Sequence, residues 1–71
     1  NALILLDVLK GKEGAVADTV IFNAAVAIYV YGITASIEHA ILLVKKNIKN
    51  GKALRLLNDF FAFSQGENPH E

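Results

Sequence analysis

Few side chains in this 71-residue chain are of the kinds that carry chemistry, and none falls at a catalytic spacing. Two histidines, His39 and His70, stand far apart with no third ligand in register, so they do not make a zinc site. Proton transfer by His39 lacks a substrate-handling partner nearby in the sequence. The stretch Gly11-Lys12-Glu13-Gly14 has the glycines of an anion loop. It lacks both the spacing of a phosphate cradle and a preceding strand, so it reads as a solvated turn. Lys45, Lys46, Lys49 and Lys52 can in principle meet phosphate or lipid headgroups. At the end of a helix they read instead as a solvated face complementing the carbonyl end of the dipole. Tyr29 and Tyr31 have no interleaved basic residue, so burial of the ring with a bonded hydroxyl is expected rather than stacking on bases. Asn23 stands alone among apolar neighbours. A buried amide without partners costs about 1–3 kcal/mol, so it is expected to tie its helix to an adjacent loop or helix end rather than to hold a ligand. No catalytic, cofactor-binding or metal-binding residue is assigned.

The elements that would have to position such groups are helical. Ala2 to Leu9 carries Leu3, Ile4, Leu5, Leu6, Val8 and Leu9 without Gly or Pro, which suits a short, largely buried helix near 2–9; a run this short also fits a strand. The Gly11–Gly14 turn leads into a second helix near 15–31, with Asp18 in its first turn and Gly32 as its stop. From Val20 to Tyr31 only Asn23 is polar. A helix apolar around its whole circumference has to be covered on every side. Ser36 is a good N-cap for a third helix near 36–50, where Ile37, Ala40, Ile41, Val44 and Ile48 recur as one apolar face. Gly51 closes it where left-handed backbone is required. A fourth helix near 52–63 puts Ala53, Leu56, Leu57, Phe60 and Phe61 on one side, with Arg55 and Asp59 as an i,i+4 pair on the other. The polar stretch 64–71 is expected to be a disordered tail. No internal repeat or low-complexity tract appears.

Length and composition narrow the function classes. Seventy-one residues make at most one domain, and folding at this size hides only about 60% of the unfolded surface. There is no cysteine to staple it. Seven basic and seven acidic residues cancel, which removes the general attraction on which nucleic-acid binding rests, so no nucleic-acid partner is expected. The start has no basic leader followed by an apolar core and a cleavage site. With no methionine and an opening at Asn1, the chain is expected to be a segment of a longer product. The fold class is therefore all-α as given, about four helices cut from a larger body.

The run GAVADTVIFNAAVAIYVYG followed by TASIEHAILLVKKNIKNGKAL resembles the C-terminal end of the anthranilate phosphoribosyltransferase family. That family shows a Gly, an Asp a few residues on, an apolar pair before Asn-Ala-Ala, then Tyr-Val, Gly, and a Ser-led helix ending in Gly-Lys-Ala. Asp18, Phe22, Asn23, Ala24, Ala25, Tyr29, Val30, Gly32, Ser36, Gly51, Lys52 and Ala53 stand in those places. The opening NALILLDVLKGKEG also resembles the family, so the likeness covers about residues 1–60. The family commonly has Pro and a basic residue between Gly14 and Asp18, where this chain has Ala15, Val16 and Ala17. The resemblance implies a cytoplasmic enzyme of tryptophan biosynthesis with a helical and an α/β domain. It implies transfer of phosphoribosyl from phosphoribosyl pyrophosphate to anthranilate with magnesium, by a homodimer. The residues that bind substrates and metal in that family lie upstream of the matching part, so none is carried over. The chain itself is expected to be an inactive scaffold whose partner is the remainder of the parent enzyme.

Two other classes compete. Thr19 to Ile37 is a run of 19 uncharged residues followed by lysines, close to the roughly 20 that cross a bilayer. Against a single membrane span, the strongly apolar part is only 12 residues, Asn23 would face hydrocarbon, and Gly32, Thr34 and Ser36 read as a helix break and a cap. The other rival is a freestanding helical module that oligomerises through its second helix.

Overall fold

A computed structural model describes residues 2–66 as four α-helices. They are α1 (Ala2–Leu9), α2 (Ala15–Val30), α3 (Ile37–Lys49) and α4 (Lys52–Ser64). The helical class expected from the sequence is met, and α1 is a helix rather than a strand. Tyr31 and Asn50 lie just outside their helices as C-caps, and Ser36 as an N-cap. Of the expected tail, Ser64 is helical and its Oγ donates to the Phe61 carbonyl at 2.9 Å. Gln65 is the C-cap of α4 and Gly66 follows in the turn, while 67–71 lie outside the described residues.

The ends of the helices follow local chemistry. The Ser36 Oγ accepts from the His39 backbone N–H at 3.0 Å, filling one of the amides that a helix start leaves unpaired. Replacing Ser36 by Ala should cost about 1 kcal/mol, read as a lower midpoint in thermal unfolding. At the other end of α2, the Gly32 N–H donates to the Tyr29 carbonyl (2.9 Å) and the Ile33 N–H to the Ile28 carbonyl (3.2 Å). This pair of bonds requires left-handed backbone at Gly32, whose φ is 78°, and it satisfies carbonyls the helix leaves open. A branched side chain there strains the backbone, so Gly32→Val should destabilise by about 1–2 kcal/mol, measured by denaturant unfolding. Beyond Gly32, Thr34 is buried and its hydroxyl donates to the Ser36 carbonyl at 2.9 Å. The α3–α4 junction is closed by Asn50, whose Oδ1 accepts from the Lys52 N–H at 3.0 Å. Asn50-Gly51 is thus a helix-to-helix corner and not a hairpin.

Packing is most extensive between α2 and α3, and α1 and α4 close the ring by touching each other and their sequence neighbours. The core is thin. Its buried apolar residues are Val8, Ala17, Ala25 and Ala40, and no large side chain is fully enclosed. Fully buried alanines on both α2 and α3 let helix backbones approach closely, but they remove little apolar area from water. The radius of gyration is 13.1 Å, against about 11 Å for a close-packed domain of this length.

The expectation that α2 is covered on every side is not met within the chain. Its Ala17, Ile21, Ala25 and Ile28 side is buried or half-buried, whereas Phe22, Asn23, Ala27, Tyr29 and Val30 are exposed. Val30 keeps 75% of its surface in solvent. Three further expectations are corrected. Only Val8 of α1 is buried and Leu3 and Ile4 are exposed, because a helix of eight residues meets α2 and α4 along one side only. On α4, Leu57 and Ala53 turn inward, but Leu56 and Phe60 stand in solvent at 71% and 63% exposure. The apolar stripe there is wider than the neighbours that could cover it. Arg55 and Asp59 do not close an ion pair within 4 Å among the described residues; the one bridge seen there joins Lys12 and Asp7 at 3.9 Å across exposed side chains. Such a pair contributes at most about 1 kcal/mol.

No helix among the described residues is long and apolar enough to cross a membrane. The sixteen residues of α2 rise about 24 Å, short of the roughly 30 Å hydrocarbon core.

Candidate functional site

A recess of about 580 Å³ lies where the Gly11–Gly14 turn faces the end of α3. Lys12, Glu13, Asp18, Lys45 and Lys49 line it, over a floor that includes Ile21. Three ammonium groups and two carboxylates nearly balance, and all five side chains are exposed. Charges held in water are screened and exert little directed field. The recess is wide, wet and close to neutral, which suits a seam between helices and gives no one group a special reactivity.

The other residues that the sequence singles out do not converge. His39 is exposed near the start of α3, and only its backbone N–H is engaged, at the Ser36 cap. Lys45, Lys46, Lys49 and Lys52 are exposed, as expected of a solvated face. His70 lies outside the described residues. Tyr29 and Tyr31 were expected to bury their rings; both are exposed, Tyr31 at 85%. The expected burial of Asn23 is corrected as well. Its side chain is exposed on the outer side of α2 and makes no hydrogen bond among the described residues. Both follow from the side of α2 that is covered, since Ala17 and Ala25 are buried whereas Asn23 and Tyr29 are exposed. Among the described residues there is no group of three or more His, Asp or Glu able to hold a metal ion.

What the structure does assemble is apolar surface. Phe22 and Val30 on α2, and Leu56, Phe60 and Phe63 on α4, are all at least half exposed. The α4 trio repeats at i, i+4 and i+7, one side of a helix. Exposed apolar side chains repeated along one side of a helix have the composition of a contact surface. The sequence marks it in two places, the absence of a polar side on α2 and the Leu56 and Phe60 stripe of α4.

Comparison with known proteins gives this surface a context. The chain is similar to proteins named anthranilate phosphoribosyltransferase. It is 40% identical to that of Chlamydia felis over 65 residues and 43% identical to that of Chlamydia caviae over 65 residues. In both cases the match covers 92% of this chain and 19% of the relative. The protein of that name from Methanococcoides burtonii is 46% identical over 66 residues, which is 93% of this chain and 19% of the relative. The chain thus spans about a fifth of the length of the relatives it matches. No solved structure matches. A family profile described as "Glycosyl transferase family, a/b domain" matches residues 1–54, and the chain belongs to that family.

Proposed function

We propose that this chain is a structural segment of an anthranilate phosphoribosyltransferase, an enzyme of tryptophan biosynthesis that moves phosphoribosyl from phosphoribosyl pyrophosphate to the amine of anthranilate. The segment buttresses the α/β domain that holds the substrates and is inactive alone. The observation that carries this reading is the 40–46% identity running through more than nine-tenths of the chain to proteins of that name. The uncovered apolar residues of α2 and α4 support it physically, since a piece of a larger core leaves such residues exposed more often than a monomeric domain does. Magnesium and the homodimer belong to the proposal for the whole cytoplasmic enzyme. The described residues offer no acidic cluster for the metal, so its ligands would come from elsewhere in the longer polypeptide, and no step is assigned to it here.

The test is replacement of the matching 65 residues of a relative by this chain. The chimera should support growth of a tryptophan auxotroph that lacks the enzyme; a well-folded chimera that fails to do so contradicts the reading. Because His39 and Lys45 are solvated, His39→Ala and Lys45→Ala in that chimera should leave kcat/KM within about twofold. A large loss for His39→Ala in a folded protein argues against a purely structural segment.

A further inference from the structure

We propose that Asn50 is a modification site, where the chain turns its own side-chain amide into aspartate and isoaspartate by attack of the Gly51 nitrogen, gated by opening of the α3–α4 corner. The inference stands apart from the enzyme assignment. In the first step the Gly51 backbone nitrogen gives its proton to hydroxide and bonds to Cγ of Asn50. The Cγ–Nδ2 bond breaks, and the amide nitrogen leaves as ammonia with a proton from water. Water then opens the five-membered imide at either of its carbonyls, which gives aspartate from one and isoaspartate from the other. One water is consumed for each ammonia released.

The corner between α3 and α4 singles out this residue. Asn50 is exposed at the C-cap, outside the regular turns of α3. Its successor is glycine, and a Cβ built at Gly51 would meet nothing within 4 Å, so the attacking nitrogen is unhindered and the imide has room. Asn23, Asn47 and Asn58 are placed otherwise, inside α2, α3 and α4. Helical ψ turns the next nitrogen away from the side chain, and the residues that follow them, Ala24, Ile48 and Asp59, all carry a Cβ. The Asn47 amide is further committed, its Nδ2 donating to the Leu43 carbonyl at 2.8 Å.

The closed corner acts as a latch on the reaction. With ψ of Asn50 at 1°, the Gly51 nitrogen eclipses the Asn50 nitrogen rather than Cβ, so the ring closes only after the chain turns about the Cα–C bond. That turn parts the Gly51 N–H from the Ile48 carbonyl (3.2 Å) and the Lys52 N–H from Oδ1 (3.0 Å). Helix ends open locally at little cost, and a glycine makes such a turn with the least strain. The rate therefore reads how firmly α3 and α4 are joined. The isoaspartyl product also lengthens the main chain by a methylene at the corner that places α4.

The experiment incubates the 71-residue chain at mildly alkaline pH beside a peptide of residues 46–55, and locates amide loss by tandem mass spectrometry. Isoaspartate is read separately, as the methyl ester formed by an isoaspartyl methyltransferase. In the chain, Asn50 should react ahead of Asn23, Asn47 and Asn58, with isoaspartate among its products, at least about threefold more slowly than in the peptide. Gly51→Ala in the peptide, where there is no fold to disturb, should slow the loss at least about tenfold. An Asn50 that keeps its amide while the peptide loses it, or that outlasts any of the three helical asparagines, overturns the site. Aspartate without isoaspartate would mean direct hydrolysis by water and overturns the attack by Gly51. Equal rates in chain and peptide overturn the latch.

Discussion

Ala25→Asp should abolish the cooperative thermal transition of this chain, followed by circular dichroism at the helical bands. Ala25 has no solvent-exposed surface, and the α2 side on which it lies carries the main packing of the bundle. No cation is available there, because the lysines of α3 and the turn are in solvent. A carboxylate placed at such a site is left without a partner and costs roughly 3–5 kcal/mol. A chain of this length holds on the order of 4–10 kcal/mol in all, and this one encloses no large side chain. The loss is therefore most of what there is. A midpoint that moves by only a few degrees would show that α2 and α3 do not meet as described.

The pair Ala27→Lys and Val30→Lys should have opposite consequences in two settings. Both positions are exposed in the last turn of α2. In the 71-residue chain two cations there complement the carbonyl end of the helix, so stability should stay within about 0.5 kcal/mol or rise slightly. In the longer protein the same ammonium groups would be driven into an apolar seam, and stability should fall by about 3 kcal/mol or more. Denaturant unfolding of both proteins measures the contrast. Equal, small effects in the two would mean that this side of α2 faces water in the enzyme as well.

Much of the fold is legible in the sequence because each helix end is written in local chemistry. Ser36 and Gly51 mark α3, and Gly32 marks the end of α2, through bonds that involve only residues within five positions of one another. The apolar face of α3 is legible too. Its polar and apolar residues alternate with the helical period, and Ile37, Ala40, Ile41, Val44 and Ile48 are all buried or half-buried. The orientation of α2 is not legible, for the complementary reason. A helix with no polar side gives periodicity nothing to act on, and small residues rather than bulky ones decide which side meets α3. The misplacement of Asn23, Tyr29 and Tyr31 follows from that one ambiguity. On α4, a stripe that includes Leu56 and Phe60 is apolar, but nothing among the described residues covers those two side chains.

The most direct measurement is reconstitution in two pieces. A relative lacking the fifth of its length that corresponds to this chain is mixed with the 71-residue chain during refolding, and formation of phosphoribosyl anthranilate is followed. If this bundle is an unfinished part of that catalyst, turnover appears only when both pieces are present and saturates at one chain per truncated protomer. A chain that remains separate and monomeric, with no turnover at any ratio, contradicts the account.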